Sequence, residues 1–269
     1  MEIRQLPPDC SLFWIVSGAR FYRQNMGLWV VVSALYLAAA LALLTAPVIG
    51  PVLLLFVGTV LFAASLTMAD QLAREIKRRE RRARRGRVPE HHGAEPQSRL
   101  THLLQALGSA YTKLMQDERL IALFELCVIV VALGFVVLLV GQGIGGGLLY
   151  APGRALEAGT VSLVRLGLAY LVMGVLGGAG LMALIYAVPL SLMDDISIGT
   201  ALKASFFGVL ANFHAVVMCV AALASPAILA VALSYWLDIH PLLIWIVAGP
   251  LLLPLAVNTA YCSYRLIFR

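Results

Sequence analysis

Six apolar segments, each about as long as a helix that crosses a lipid bilayer, dominate the sequence. Such a helix needs about 20 apolar residues, and it satisfies its backbone hydrogen bonds internally. The two-residue alternation of membrane β-strands is absent from these segments. We therefore predict an all-α polytopic membrane protein with six transmembrane helices. The predicted spans are residues 28–46, 51–69, 120–140, 164–192, 213–233 and 242–260.

The composition of the chain favours a membrane protein over a soluble domain. Of its 269 residues, 61% are hydrophobic and only 13% are charged, whereas soluble domains carry about a quarter charged residues. We therefore interpret residues 1–269 as a single integral membrane domain. The first residues contain no apolar stretch followed by a small-residue cleavage site, so we expect no cleaved signal peptide.

An arginine-rich segment separates the second and third apolar segments. Nine of the fourteen residues at positions 74–87 are Lys or Arg, and we predict that residues 74–98 form a cytoplasmic insertion or loop. With six spans, both termini lie on the same side as residues 70–119 and 193–212, and this side holds 18 of the 20 basic residues. Because positive charge is retained in the cytoplasm during insertion, we expect cytoplasmic N- and C-termini. Without the nine residues of the run, the split is still nine to two.

Three short segments that precede apolar segments have the pattern of amphipathic helices. They cover residues 12–25, 100–115 and 198–212, and leucines recur at helical spacing in the second. Such helices can lie in the membrane interface with the apolar face toward lipid. The sequence thus predicts a unit that occurs three times. Each unit consists of one interfacial helix and a two-helix hairpin. Repeats are common in proteins that move substrates, although duplication also produces them without transport.

Three further patterns carry a resemblance to known proteins. Residues 14–29 include Gly-Ala-Arg-Phe-Tyr-Arg-Gln-Asn, residues 195–212 begin Asp-Ile-Ser-Ile-Gly-Thr-Ala-Leu-Lys, and residues 259–268 read Thr-Ala-Tyr-Cys-Ser-Tyr-Arg-Leu-Ile-Phe. With these patterns the chain resembles uncharacterised, mostly proteobacterial inner-membrane proteins. It is distantly similar to YciC-type proteins and to the membrane domain of some glycerophosphodiester phosphodiesterases. The resemblance implies a six-helix protein of the bacterial inner membrane, and it provides no catalytic residues. Such proteins tend to have a compact connection after the second span, so the arginine-rich segment looks like an insertion.

The arginine-rich segment is also a candidate binding surface. Each Lys or Arg near an anionic leaflet contributes about 1 kcal/mol of attraction, so we expect contact with anionic headgroups of the cytoplasmic leaflet or with a partner protein. No aromatic residue interleaves the run to stack on bases, which argues against nucleic acid. The candidate contacts are Arg78, Arg79, Arg81, Arg82, Arg84 and Arg85.

Polar and small residues inside the predicted spans are the remaining site candidates. Glu125, His214 and Asn258 qualify because intramembrane polar residues often mark functional sites. The simpler interpretation is a Glu125 carboxylate that reaches the interface, and hydrogen bonds across helices from His214 and Asn258. Gly174 and Gly178 have a small-xxx-small spacing that allows close helix packing within the chain or between copies.

Polar and aromatic residues near the ends of the predicted spans are expected to have structural roles. Asp194, Asp195 and Ser197 precede a predicted helix, and we expect Asp195 or Ser197 to accept a hydrogen bond from its first backbone N–H groups. Tyr261 and Tyr264 follow the predicted sixth span, as aromatic residues at headgroup level do.

No residue pattern in the sequence indicates catalysis, a cofactor or a metal site. The four cysteines include no Cys-x-x-Cys pair, and a cysteine in an apolar segment behaves as a small buried apolar residue. We predict a noncatalytic inner-membrane protein that organises, stabilises or assists a membrane assembly. Its expected partners are lipids, other membrane subunits or further copies of the chain. The alternative is a transporter or lipid-handling protein with a site near the bilayer midplane.

Overall fold

The described part of the protein, given by a computed structural model, consists mainly of helices. The model describes residues 3–44, 49–84, 108, 112, 117–145, 160–236 and 241–269. These residues contain no β-strand. Their helices are α1 (Cys10–Gln24), α2 (Met26–Leu44), α3 (Ile49–Arg84), α4 (Asp117–Gly145), α5 (Thr160–Leu184), α6 (Ala187–Met193), α7 (Ile198–Ala211), α8 (Phe213–Trp236) and α9 (Pro241–Phe268).

Five helical segments of the described chain are long and apolar enough to cross a membrane. The number rises to six if α7 and the first part of α8, which meet at an angle of 88°, form one broken span. The prediction of an all-α, multi-pass membrane protein is therefore confirmed, with five or six spans. The five segments are Met26–Leu43, Val52–Arg78, Arg119–Gly145, Leu163–Met193 and Ala248–Phe268.

The helix α3 includes part of the segment that we predicted as a loop. It continues through residues 74–84, so this part of the predicted insertion or loop, residues 74–98, is helical, and its cytoplasmic location stays a prediction. The cause is local propensity, because Arg, Lys, Glu and Ala favour helices and neither Gly nor Pro occurs at positions 70–84. Residues 85–98 lie outside the described part of the chain.

Helices are found at two of the three predicted short segments. The helix α1 corresponds to residues 12–25, and α7 corresponds to residues 198–212. The segment 100–115 lies outside the described residues, apart from Gly108 and Thr112. The location of α1 and α7 in a membrane interface stays a prediction.

The predicted fourth span is interrupted near its end. The helix α5 ends at Leu184, and α6 begins at Ala187. Pro189 has no N–H group for the carbonyl of Ile185, so a continuous α-helix would leave that carbonyl without its usual partner. Asp194, the residue that follows α6, lies beside α9, where it accepts a hydrogen bond from the hydroxyl of Tyr264.

The helix α9 packs against four other helices of the described chain. It contacts α1, α2, α3 and α8, and it extends to Phe268, beyond the predicted end of the span at residue 260. Tyr261, Tyr264 and Ile267 are at most 3% exposed, because their spacing places them on one buried helix face. The two tyrosines therefore belong to the helical core, and their interpretation as residues beyond the sixth span is wrong.

A glycine allows α1 to lie directly on α9. A Cβ atom added to Gly18 would lie 2.6 Å from Oγ1 of Thr259 and 2.9 Å from its backbone nitrogen. On the opposite face of α1, Leu12 and Val16 are more than half exposed. The helix α1 therefore packs against α9 through one face and presents apolar side chains to its surroundings through the other.

We predict that Gly18→Ala destabilises the bundle. The added methyl group would collide with the backbone of Thr259, and overpacking of this kind costs about 1–3 kcal/mol. The matched control is Gly27→Ala, because a Cβ at Gly27 meets nothing within 4 Å and alanine favours a helix more than glycine does. Thermal unfolding of both purified variants in one detergent measures the effect. An unchanged unfolding temperature for Gly18→Ala would contradict the close contact.

Candidate functional site

The helices α3 and α9 surround a buried carboxylate at one end of the bundle. Asp70 on α3 is 6% exposed. It accepts a hydrogen bond of 2.9 Å from the hydroxyl of Tyr261 and forms an ion pair of 2.6 Å with Arg74, one helical turn later. Arg269 lies 3.8 Å from the same carboxylate. A buried carboxylate is costly unless it is paired, and these three groups supply the pairing.

Arg269 also connects this carboxylate to a second one. Its Nε donates to Oδ1 of Asp194 over 3.1 Å, and its Nη2 bonds the same oxygen. The hydroxyl of Tyr264 donates to the other oxygen of Asp194. Burial acts to lower the pKa of the Arg269 guanidinium, but the hydrogen bond to Asp194 and the neighbouring negative charges raise it above the ordinary arginine value. We refer to Asp70, Arg74, Asp194, Tyr261, Tyr264 and Arg269 as the ion-pair network.

A small polar cavity of about 170 Å³ adjoins the ion-pair network. Asp70, Arg74 and Arg119 contribute charged side chains to its wall. Arg119 lies 3.9 Å from the exposed carboxylate of Asp195. Since one water occupies about 30 Å³ of liquid, the cavity has room for several water molecules between the charged groups.

A larger, apolar cavity of about 610 Å³ lies between α1, α3, α5, α8 and α9. On α3 its wall reaches Phe62, which precedes Asp70 by about 12 Å along the helix axis. The cavity therefore lies deeper in the apolar part of the bundle than the ion-pair network. Leu55, Leu181 and Val220 line the cavity and are still 42%, 56% and 43% exposed, so it is open toward the outside of the bundle.

Few polar atoms belong to the wall of the apolar cavity. Two of them satisfy each other, because the hydroxyl of Tyr186 donates to Oγ of Ser263 over 3.0 Å. The indole N–H of Trp14 and the hydroxyl of Thr259 are buried and have no hydrogen-bond partner among the described residues. A buried donor without a partner costs about 1–3 kcal/mol. Both atoms are buried, and Oγ1 of Thr259 lies against Gly18 of α1, so a ligand in the cavity does not reach them.

The three intramembrane polar candidates do not form a common site. Glu125 on α4 and His214 on α8 are exposed, and neither lines the apolar cavity. Asn258 is fully buried, but its amide donates to the carbonyl of Pro254 in the same helix over 2.8 Å. The expected hydrogen bond from Asn258 to another helix is therefore not found in the described part of the chain.

The arginine candidates continue along α3 away from the ion-pair network. Arg78 and Arg81 are exposed there. The backbone of Arg79, Arg82 and Arg84 belongs to the same helix, while Arg85 lies outside the described residues. The expected contact of this surface with anionic headgroups or with a partner protein stays a prediction.

The paired glycines of α5 are not used for close packing among the described residues. A Cβ added to Gly174 or Gly178 would meet nothing within 4 Å, and Gly174 is exposed. The glycine that does approach a neighbouring helix is Gly180, whose added Cβ would lie 2.1 Å from a methyl carbon of Leu133 on α4. For Gly174 and Gly178, packing between copies is the alternative that stays open.

The expected cap of α7 is also corrected. Ser197 occupies the N-cap position, but its hydroxyl donates to Oγ1 of Thr200 over 2.9 Å and makes no cap hydrogen bond. Asp194 belongs to the ion-pair network. Asp195 has a positive φ of 52°, a left-handed conformation that Asp adopts more readily than most residues, and its carboxylate faces Arg119.

The members of the ion-pair network are not among the site candidates that the sequence provides. An acid such as Asp70 at the end of an apolar segment needs no special explanation, and tyrosines there match the usual aromatic residues of a membrane interface. The usable signal was the spacing of Tyr261, Tyr264 and Phe268, which continues the buried face of a helix past residue 260.

Comparisons of the chain with protein-family models, with curated proteins and with solved structures found no match. The structural features that bear on function are the ion-pair network, the apolar cavity and the surfaces of the helices.

We predict that Tyr261→Phe destabilises the protein. The change removes a hydrogen bond to the buried carboxylate of Asp70, and hydrogen bonds to charged groups contribute about 1.5–3 kcal/mol. The matched control is Tyr170→Phe, because Tyr170 on α5 is 51% exposed. The measurement is the unfolding temperature in detergent. Equal stability of the two variants would show that the Tyr261 hydroxyl does not stabilise Asp70.

Proposed function

We propose that the protein is a noncatalytic, lipid-handling protein of the bacterial inner membrane. The observation that carries the proposal is the apolar cavity of about 610 Å³, which is open toward the outside of the bundle. Pockets for small ligands typically measure about 300–1,000 Å³ and are mostly apolar. For a multi-pass membrane protein the most abundant apolar ligand is lipid, so a lipid acyl chain is the occupant that fits the cavity best.

The lining of the cavity supports the same ligand class. Most of its residues are apolar, and two of its hydroxyl groups, those of Tyr186 and Ser263, hydrogen-bond to each other. An acyl chain has no hydrogen-bonding atoms, so it would fill the cavity without needing a polar partner in the wall.

The proposed membrane and orientation come from the sequence. The excess of Lys and Arg on one side supports cytoplasmic N- and C-termini. The resemblance to uncharacterised proteobacterial inner-membrane proteins, distantly including YciC-type proteins, supports the inner membrane. In this orientation the arginine-rich end of α3 faces the anionic cytoplasmic leaflet.

We predict that Gly58→Leu weakens lipid binding by partly filling the cavity. Gly58 lines the cavity, and a Cβ at this position meets nothing within 4 Å, so the larger side chain fits without a clash at its root. The matched control is Gly143→Leu on the exposed surface of α4, where a Cβ also meets nothing. The measurements are the lipid retained per protein by native mass spectrometry and the binding of a fluorescent fatty acid.

The expected result is several-fold weaker fatty-acid binding for Gly58→Leu and unchanged binding for Gly143→Leu. The unfolding temperature of each variant, measured without added lipid, shows whether the bundle is intact. Equal fatty-acid binding by wild type and by a folded Gly58→Leu variant would contradict a lipid site in the cavity.

A second candidate function is the organisation or stabilisation of a membrane assembly. It is favoured by the exposed Gly174 and by Val175 beside it, which is 64% exposed. Membrane helices associate through small residues that let their backbones approach closely. Since no described residue covers this face, a further copy of the chain or another membrane subunit is its proposed neighbour.

We predict that Gly174→Leu lowers the fraction of oligomer if copies pack through this face of α5. The added side chain would hold the two backbones apart. The control is Ala179→Leu, which is also exposed but lies about 140° around the helix. Native mass spectrometry of both variants gives the distribution of states. An oligomer that persists in Gly174→Leu, or a wild type that is strictly monomeric, argues against self-association through α5.

A further inference from the structure

A groove of about 310 Å³ runs along the contact between α1 and α9, and Ala73 of α3 also lines it. Its wall on α1 covers about three helical turns and includes Phe13, Ser17, Arg20 and Gln24. Its wall on α9 includes Tyr261 and, one turn later, Arg265.

Two guanidinium groups face this groove. Arg265 on α9 donates to the hydroxyl of Tyr261 over 3.3 Å and lies 5.9 Å from the centre of that ring, so its position is fixed from one side. Arg20 on α1 is exposed. No carboxylate of the described residues lies within ion-pair distance of either group, whereas Arg74 and Arg269 pair with Asp70 and Asp194.

Apolar side chains share the groove with the two arginines. Phe13 lines the groove from α1 and is 58% exposed, and Leu266 lines it from α9. A surface that places unpaired cations beside exposed apolar side chains is complementary to a molecule with an anionic head and an apolar tail. The guanidinium of Arg matches the oxygens of a phosphate in a bidentate geometry.

We propose that the groove binds one anionic phospholipid of the adjacent leaflet. The phosphate interacts with Arg20 and Arg265, the side chains of Ser17 and Gln24 offer hydrogen bonds to the polar headgroup, and an acyl chain lies along Phe13. This site is separate from the apolar cavity, because the contact of Gly18 with Thr259 lies between them. It does not depend on the proposed function, so either can fail alone.

The test is the affinity of the purified full-length protein for phosphatidylglycerol and for phosphatidylcholine, measured by native mass spectrometry on titration of each lipid. Wild type is expected to prefer phosphatidylglycerol. The double variant Arg20→Gln/Arg265→Gln is expected to bind it at least tenfold more weakly, equivalent to about 1.4 kcal/mol, with little change for phosphatidylcholine. The matched control is Arg23→Gln, which removes the same charge from an exposed position of α1 outside the groove.

Three results would overturn the proposal. The first is an unchanged preference in the double variant, and the second is an equal loss in Arg23→Gln, which would indicate nonspecific attraction. The third is displacement of the lipid by millimolar inorganic phosphate, which would indicate a phosphate site without a lipid. Arg265 contacts Tyr261, so the double variant can fail to fold. In that case the single variant Arg20→Glu replaces it in the test, and it must also lose the preference for phosphatidylglycerol over phosphatidylcholine.

Discussion

The pairing of Arg269 with Asp70 and Asp194 constrains how the helices of this protein meet. Charged side chains are costly at membrane depth. Asp70 is partly compensated by Arg74 of its own helix, but its contact with Arg269 and the pairing of Asp194 require α3, the end of α6 and the end of α9 to converge. Because Arg269 meets carboxylates from two segments that are distant in sequence, the pairing also fixes how far α9 lies along its neighbours. A shift of α9 by one turn, about 5.4 Å, would move Arg269, Tyr261 and Tyr264 away from their partners.

The remaining packing follows from this fixed position of α9. Gly18 lets α1 lie on α9 at the level of Thr259, and a second glycine, Gly208 of α7, admits the ring of Phe268, to which an added Cβ would come within 2.5 Å. The polar end of the bundle is therefore held by charge pairing and by close backbone contact. Deeper in the bundle apolar side chains form most of the packing, with a few buried polar groups such as Asn258 and the Tyr186–Ser263 pair, and there the apolar cavity remains.

The sequence predicts those parts of the structure that depend on composition and local pattern. Apolar length identifies the membrane helices, and the starts of α1 and α7 follow from short helical patterns. The ion-pair network could not be predicted, because it joins Asp70, Asp194 and Arg269 from three segments whose contact only the folded chain defines. Likewise Glu125 stands out in an apolar segment, yet a single sequence does not indicate that it faces outward while Asp70 is buried.

The environment of the protein explains how an apolar cavity can persist in a well-packed bundle. In a soluble core an empty cavity destabilises by about 24 cal/mol per Å³, because its lining atoms lose their contacts. Between membrane helices, lipid tails are as apolar as the side chains that they touch. Under the proposed function, a lipid chain that enters through the open side near Leu181 and Val220 would restore those contacts without displacing a competing protein group. The bundle would then need precise pairing only where charges are buried, and the space beside Trp14 would belong to lipid.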